Sequence, residues 1–281
     1  MRSSTITDLL NIIEQKALSN RARVALGVRD PTTEVLHSAE YAHSAGYAEV
    51  ILVGDKDTID KFGTSLNVVD TQDPETVLGD LLAAGDVDAA VRGNAKASAT
   101  LSHLRSVLGM ERLHRMAFLL SEQGHPFFLA PIGIDEGNDL GDKVELIKLG
   151  AECIRKFGIE PTVGILSGGR RGDLGRDEKV DRTLKDADIV TERVRELGVD
   201  AYHYTILIEN AIRESDLIIA PDGISGNLIF RTLVFLGGGV GIGAPVLMDE
   251  RVFVDTSRVS GNYTRAIMLA SALVSMKYKD D

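Results

Sequence analysis

At 281 residues, with 44% hydrophobic and 26% charged content, the chain has the composition of a globular protein large enough for one big α/β domain or two lobes. Its formal charge of −11 argues against nucleic acid or an anionic membrane as partner, because both attract an excess of Lys and Arg. A lone cysteine, Cys153, excludes an internal disulfide, and no apolar run approaches the roughly 18 residues of a membrane span, so a cytoplasmic protein is expected.

In chain order, the N-terminal "MRSSTITDLLNIIEQKALSNR" reads as a polar-capped amphipathic helix without the apolar core of a signal peptide. A strand is predicted over Arg23 to Val28, followed by Arg29, Asp30 and a Pro31 suited to the first helical position. One phrase then recurs: a helical pattern, a glycine, an apolar run. It appears as "AEYAHSAGYAEVILVGD", "GAECIRKFGIEPTVGILSGG" and "TERVRELGVDAYHYTIL", with Gly46, Gly158 and Gly198 at the left-handed C-cap. Val144, Ile147, Ala151 and Ile154 form the apolar stripe of the middle helix, and Cys153 beside it reads as structural.

Strands are predicted over Val50 to Val53, Val87 to Val91, Ala117 to Leu120, Phe127 to Ile132, Val163 to Leu166, Asp216 to Ala220 and Val252 to Val254. These runs are short, apolar and not alternating, as in strands covered on both faces. Helix and strand in alternation predict a mainly parallel sheet with flanking helices. No Pro- or Ser-rich linker divides the chain, so two lobes of one continuous fold are expected. The glycine run "GGGVGIGAP", Gly237 to Pro245, follows a helical pattern rather than a strand and is expected to connect the lobes.

Ligands of open α/β sheets bind beyond the carboxyl ends of the strands, which directs attention to the loops after Val28, Val91, Leu166, Ala220 and Val254. "RGNAKASATL" places Arg92, Asn94 and Lys96 near a helix start. "SGGRRGDLGR" offers close backbone approach at Ser167, Gly168 and Gly169, with guanidinium groups at Arg170, Arg171 and Arg176. "PDGISGN" is expected to turn through Ser225, Gly226 and Asn227, presenting backbone N–H groups beside Gly223 to an anion. "DTSRVSGN" adds Ser257 and Arg258. His203, between Tyr202 and Tyr204, reads as a structural histidine, with general base as the alternative. No zinc-ligand spacing, H-E-x-x-H, phosphate-binding G-x-x-x-x-G-K-[ST] or G-x-S-x-G is present.

"FGIEPTVGILSGG", "SDLIIAPDGISGNLIF" and "IGAPVLMDERVFVDTSR" occur in an order that resembles the phosphate acetyl- and butyryltransferases. Within that superfamily, "SGGRRGDLGR" and "PDGISGNLIFRTLVFLGGG" resemble most the methanogen Mtx subunit X family, methyltransferase-named proteins also known as a methanogenesis marker. The resemblance implies a two-lobed fold of phosphotransacetylase or isocitrate/isopropylmalate dehydrogenase type. Residues 1–110 with 245–281 would form one lobe and 111–244 the other, with a cleft between them and a homodimer in solution. In the acyltransferases that cleft holds coenzyme A and an acyl phosphate. By matched position Ser257 and Arg258 become the catalytic pair and Asn227 the asparagine of the Gly-Asn turn. The family's base, an aspartate seven positions after the serine, is replaced by Thr264, a poor base at neutral pH. The expected function is therefore binding of an anionic small molecule in a protein linked to methyl transfer in methanogenesis. The alternatives are a phosphate acyltransferase using acyl phosphate and coenzyme A, in which another group such as His203 replaces the aspartate, and a non-catalytic subunit serving methyltransferase or corrinoid-protein partners. No metal site is expected.

Overall fold

Residues 8–258 and 261–276 are described by a computed structural model. The principal elements begin with α1 (Leu9–Asn20), β1 (Arg23–Gly27), α2 (Thr33–Ser44), β2 (Glu49–Gly54), β3 (Asn67–Asp70), α3 (Pro74–Ala84), β4 (Ala89–Val91) and α4 (Ala97–Val107). They continue with β5 (Ala117–Leu120), β6 (Pro126–Ala130), α5 (Leu140–Arg155), β7 (Thr162–Leu166), α6 (Glu178–Glu196), β8 (Asp200–Thr205) and α7 (Ile208–Glu214). The last are β9 (Leu217–Ile219), α8 (Gly223–Phe235), β10 (Val240–Pro245), β11 (Val252–Asp255) and α9 (Thr264–Ser275). In α1, Leu9, Ile13 and Ala17 are buried one turn apart, as the amphipathic reading requires, while of the polar residues expected before it only Asp8 falls within the described residues.

Two compact units result. A terminal unit comprises Leu10–Leu113 with the chain from Ile242 onward, and a central unit comprises His114–Gly241 with the residues up to Leu9. In the terminal unit the strands lie in the order β3-β2-β1-β4-β11-β10. All pairs are parallel except β10 with β11, where Ala244 faces Asp255. β11 comes from the far end of the chain yet pairs with β4 in register, Val252 against Ala89 and Val254 against Val91. The core between strands and helices includes Ala25, Val53, Leu78, Leu82, Leu104 and Phe253. Each large apolar side chain so buried contributes about 1.5–3 kcal/mol. Helix α9, buried along Ala266 to Val274, packs on β11, β4, β1 and α2.

In the central unit the order is β5-β6-β9-β7-β8, parallel throughout except for β5 against β6. Phe118 and Phe128 stack across that antiparallel pair with ring centroids 4.9 Å apart. Ile147, Ala151 and Ile154 of α5 are fully buried, and Val144 is half-buried. Gly46, Gly158 and Gly198 follow their helices with φ of +83°, +78° and +82°, the left-handed conformation the sequence pattern demands.

"GGGVGIGAP" carries the chain from one unit to the other, between Gly241 and Ile242, and does so as strand over Val240–Pro245 (β10), because small residues still pleat when a partner strand satisfies their backbone groups. One expectation is corrected. The expected turn through Ser225, Gly226 and Asn227 is helical, since α8 starts at Gly223 directly behind its cap, Asp222. Among the described residues no helix is long and apolar enough to cross a membrane.

Candidate functional site

In the central unit, β7 ends at Leu166 and delivers Ser167 at the carboxyl edge of the sheet, 2% exposed. The neighbouring β8 runs in register until Ile165 faces His203. It then slips by one residue, so that Leu166 faces Thr205. Such a bulge re-aims the side chains beside it. Thr205 takes φ +58°, a left-handed conformation that a β-branched residue adopts at a cost of about 1–3 kcal/mol. Its carbonyl accepts from the Ser167 N–H at 2.8 Å.

His203, paired with Ile165 just before the slip, sets its Nε2 2.9 Å from Ser167 Oγ and its Nδ1 2.8 Å from Asp188 Oδ1 on α6. The imidazole is 5% exposed. Arg171 donates two hydrogen bonds of 2.5 Å to the Asp188 carboxylate and shares Oδ1 with the imidazole. Those Arg171 bonds, together with the His203 bond, hold the Asp188 carboxyl down at about 2 against the opposing effect of burial. Arg171 Nη2 also lies 3.1 Å from His203 Nδ1, and with the Nδ1–H tautomer that the ionised carboxylate favours, the Nε2 lone pair faces Ser167. The serine hydroxyl has a second acceptor, Gly169 O, at 3.1 Å.

The rest of this loop is closely packed. The Gly168 N–H donates to Thr183 Oγ1 at 2.8 Å, and a Cβ on Gly169 would lie 2.5 Å from Val180 Cγ1. The Arg170 N–H donates to Asp173 at 2.8 Å while its side chain is exposed and makes no ion pair among the described residues. Arg176 pairs with Asp173. Of the three guanidinium groups expected to face an anion, Arg171 and Arg176 are thus engaged by carboxylates of the same unit.

The helix start after β9 is also occupied. Asp222 accepts from the Ser225 N–H at 2.7 Å, and Asn227 Nδ2 donates to Ile132 O at 2.9 Å. Gly223 and Gly226 admit backbone: a Cβ would lie 1.7 Å from Gly133 O in the first case and 1.8 Å from Pro131 O in the second. These residues lock α8 onto the loop that follows β6. Of the amides the turn reading placed there, the Ser225 and Gly226 N–H groups are engaged by Asp222.

Sequence reasoning missed Lys143. It stands in the first turn of α5, 9% exposed, and its ammonium makes no hydrogen bond among the described residues. Burial pushes its pKa down, opposed by the charges of Asp186, Asp222, Asp139 and Asp142. The signal was available, because Lys143 precedes Ile147 by one turn on the apolar stripe.

In the terminal unit, Asn94 is 7% exposed and fastens the end of β1: its Oδ1 accepts from the Arg29 N–H at 2.7 Å and its Nδ2 donates to Asp30 O at 2.5 Å. The next loop is tied to it through Thr256 Oγ1, which donates to Gly93 O at 2.8 Å. Ser257 follows, half-buried, with its carbonyl accepting from Tyr263 Oη at 3.3 Å, and Arg258 is exposed. Val259 and Ser260 of this loop lie outside the described residues. Thr264, at the position of the missing aspartate, donates its hydroxyl to Ser38 O at 3.0 Å, a bond that joins α9 to α2.

The chain is 64% identical over 265 residues to the "Putative methyltransferase mtx subunit X" of Methanosarcina mazei, covering 94% of this chain and 95% of that one. It belongs to the Mtx subunit X family. A further relative of that family's members, an uncharacterized methyltransferase of Methanocaldococcus jannaschii, is 34% identical over 249 residues, covering 86% of this chain and 92% of its own. No protein-family model matches the chain. Among solved structures, a phosphotransacetylase from Streptococcus pyogenes superposes with a TM-score of 0.73 at 16% identity, over 96% of this chain and 99% of its own. A 4-hydroxythreonine-4-phosphate dehydrogenase from Burkholderia phymatum gives 0.57 at 14% identity, over 90% and 98%. These likenesses establish that the Mtx subunit X fold is that of the phosphotransacetylases.

Proposed function

We propose that this Mtx subunit X protein binds an anionic small molecule, bearing phosphate or carboxylate groups, in a role linked to methyl transfer in methanogens. The link to methyl transfer follows the names of its relatives, and action beside methyltransferase or corrinoid-protein subunits is part of the same proposal. The observation that carries the binding is Lys143. The Lys143 side chain is nine-tenths buried and its ammonium makes no hydrogen bond among the described residues, so an anionic ligand oxygen would supply an acceptor. Arg170, exposed and without an ion pair among the described residues, supports the reading from the loop after β7.

Melting curves with inorganic phosphate, acetyl phosphate and coenzyme A test it. A binding anion raises the melting temperature in a saturable way, since a ligand at 100 times its Kd adds about 2.7 kcal/mol. The Lys143→Met and Arg170→Ala variants should lose the shift while remaining folded. If none of the three anions stabilises the wild-type chain, or if both variants respond as it does, the proposal fails.

A further inference from the structure

We propose that helix α8 is the interface between two copies of this chain, packed antiparallel about a two-fold axis. The helix, "GISGNLIFRTLVF", carries one charged residue among its thirteen, Arg231. A surface helix of a soluble protein keeps one apolar stripe for its core and turns polar residues outward. Helix α8 has two apolar stripes. Toward the central unit, Gly223 and Gly226 are buried against the carbonyls of Gly133 and Pro131, and Ile229, Phe230, Leu233 and Val234 continue that side half-buried. On the opposite side Ile224 and Leu228 are 60% and 61% exposed and Phe235 37%, with Leu236 just past the last turn at 84%. These four side chains present on the order of 500 Å² of apolar surface, as much as the largest patch of a typical monomer. With the exposed Arg231, Thr232, Gly237 and Gly238 around them, the face nears the roughly 800 Å² per partner that a stable dimer buries.

The spacing of the outer stripe selects a second copy as its occupant. Ile224, Leu228, Arg231 and Phe235 follow one another at four, three and four residues, the seam spacing of helices packed at about +20°. Read backwards, that spacing is unchanged. A two-fold axis through the middle of the stripe therefore sets Ile224 opposite Phe235 of the partner subunit and Leu228 opposite Arg231 of the partner subunit, and each contact occurs twice. Charge points the same way. A chain of net charge −11 repels its own copy over most of its surface, whereas α8 holds no carboxylate. Its single cation is folded down, with the Arg231 guanidinium 5.2 Å from the centre of the Phe235 ring, which Phe230 meets edge-on at 6.4 Å. A helix lying on a membrane carries a row of Lys and Arg beside its apolar face, and α8 has only Arg231. Lys143 and Arg170 take no part in this contact, so its failure would leave the anion reading standing.

Sedimentation equilibrium of the full-length protein tests it. The wild-type chain, of mass 30.3 kDa, should sediment at twice that mass at micromolar concentration. Leu228→Arg sets two further guanidinium groups beside the two Arg231 side chains and should weaken association by about 100-fold or more. Leu228→Glu meets Arg231 of the partner subunit instead and should weaken it far less. In a Cys153→Ala background, Ile224→Cys combined with Phe235→Cys should give disulfide-linked dimers on oxidation. Ile224→Cys alone should not, since the two copies of that position would lie about 16 Å apart along the helix axis. Circular dichroism and melting curves establish that each variant is folded. A wild-type chain that stays monomeric, including one whose α8 binds vesicles or a different protein, overturns the second copy as occupant. A dimer indifferent to Leu228→Arg overturns α8 as the interface. Equal weakening by Leu228→Arg and Leu228→Glu, or crosslinking by Ile224→Cys alone, overturns the antiparallel pairing.

Discussion

The Arg92 guanidinium and the Asp255 carboxylate are buried against each other where β4 and β11 end, their side chains 5% and 8% exposed. Arg92 also donates to Ala95 O at 2.6 Å, and Asp255 accepts from the Thr256 N–H at 2.8 Å. The pair joins segments 163 residues apart and so closes the terminal unit. Arg92→Met or Asp255→Leu alone should destabilise the protein by about 3–5 kcal/mol, because each leaves one buried charge without its counter-ion. The double variant should recover most of that loss. Urea denaturation of the four proteins gives the comparison, and strictly additive single losses would contradict a coupled pair.

Glu75 supplies a pH dependence. Burial pushes its carboxyl up, but the Arg29 hydrogen bonds, the Lys96 N–H and the Arg29 charge outweigh that and hold it at about 2, below the ordinary 4.5. With the folded value depressed, the unfolded chain takes up the proton first as pH falls. The contribution is therefore complete above about pH 4.5 and disappears as pH drops through about 2. Glu75→Gln should be less stable at neutral pH and should flatten the loss across this window. Chemical denaturation at a series of pH values measures it; parallel curves for wild type and variant would refute the assignment.

Thr205→Gly should relieve the left-handed strain at φ +58° without disturbing the Ser167 contact, which is made by the Thr205 carbonyl. Relief of about 1–3 kcal/mol set against roughly 0.5–1 kcal/mol of added chain entropy leaves a net gain of about 1 kcal/mol. A rise in the urea midpoint with an unchanged slope is the expected reading.

Gly226→Ala should be among the most damaging small substitutions in the central unit. Its Cβ would meet the Pro131 carbonyl at 1.8 Å, and backbone, unlike a flexible side chain, can yield only if α8 moves as a body. A loss of about 3 kcal/mol or more is expected in thermal or urea unfolding. By contrast, Gly158→Ala meets no atom within 4 Å, and its smaller loss should reflect the positive φ alone.

Much of the fold was legible along the chain. Strands β1, β2, β5, β7 and β11 were expected within one or two residues, because an apolar run between a helix cap and a turn leaves little choice of boundary. Two strands escaped. Asn67–Asp70 is a half-exposed edge strand with polar residues at both ends, and Val240–Pro245 is so rich in glycine that propensity opposes a strand. At the site, the loop Ser167 to Arg171 was recognised from its glycines and arginines. The roles of those arginines were not, since charge in a sequence does not say which carboxylate lies opposite.

By itself the sequence determined the alternation of helix and strand, the capping glycines and the family to which the chain belongs, all of which depend on residues close together along the chain. Only the tertiary structure decided that His203 faces Ser167, that Asp188 rather than a ligand occupies Arg171, that the Lys143 side chain is largely buried, and that Thr264 serves a helix contact. Hydrogen bonds and ion pairs act over a few ångströms between residues that may be tens or hundreds of positions apart. Their partners are chosen by strand order and register, and the parallel pairing of β7 with β8 is what sets His203 opposite Ile165 and beside the end of β7.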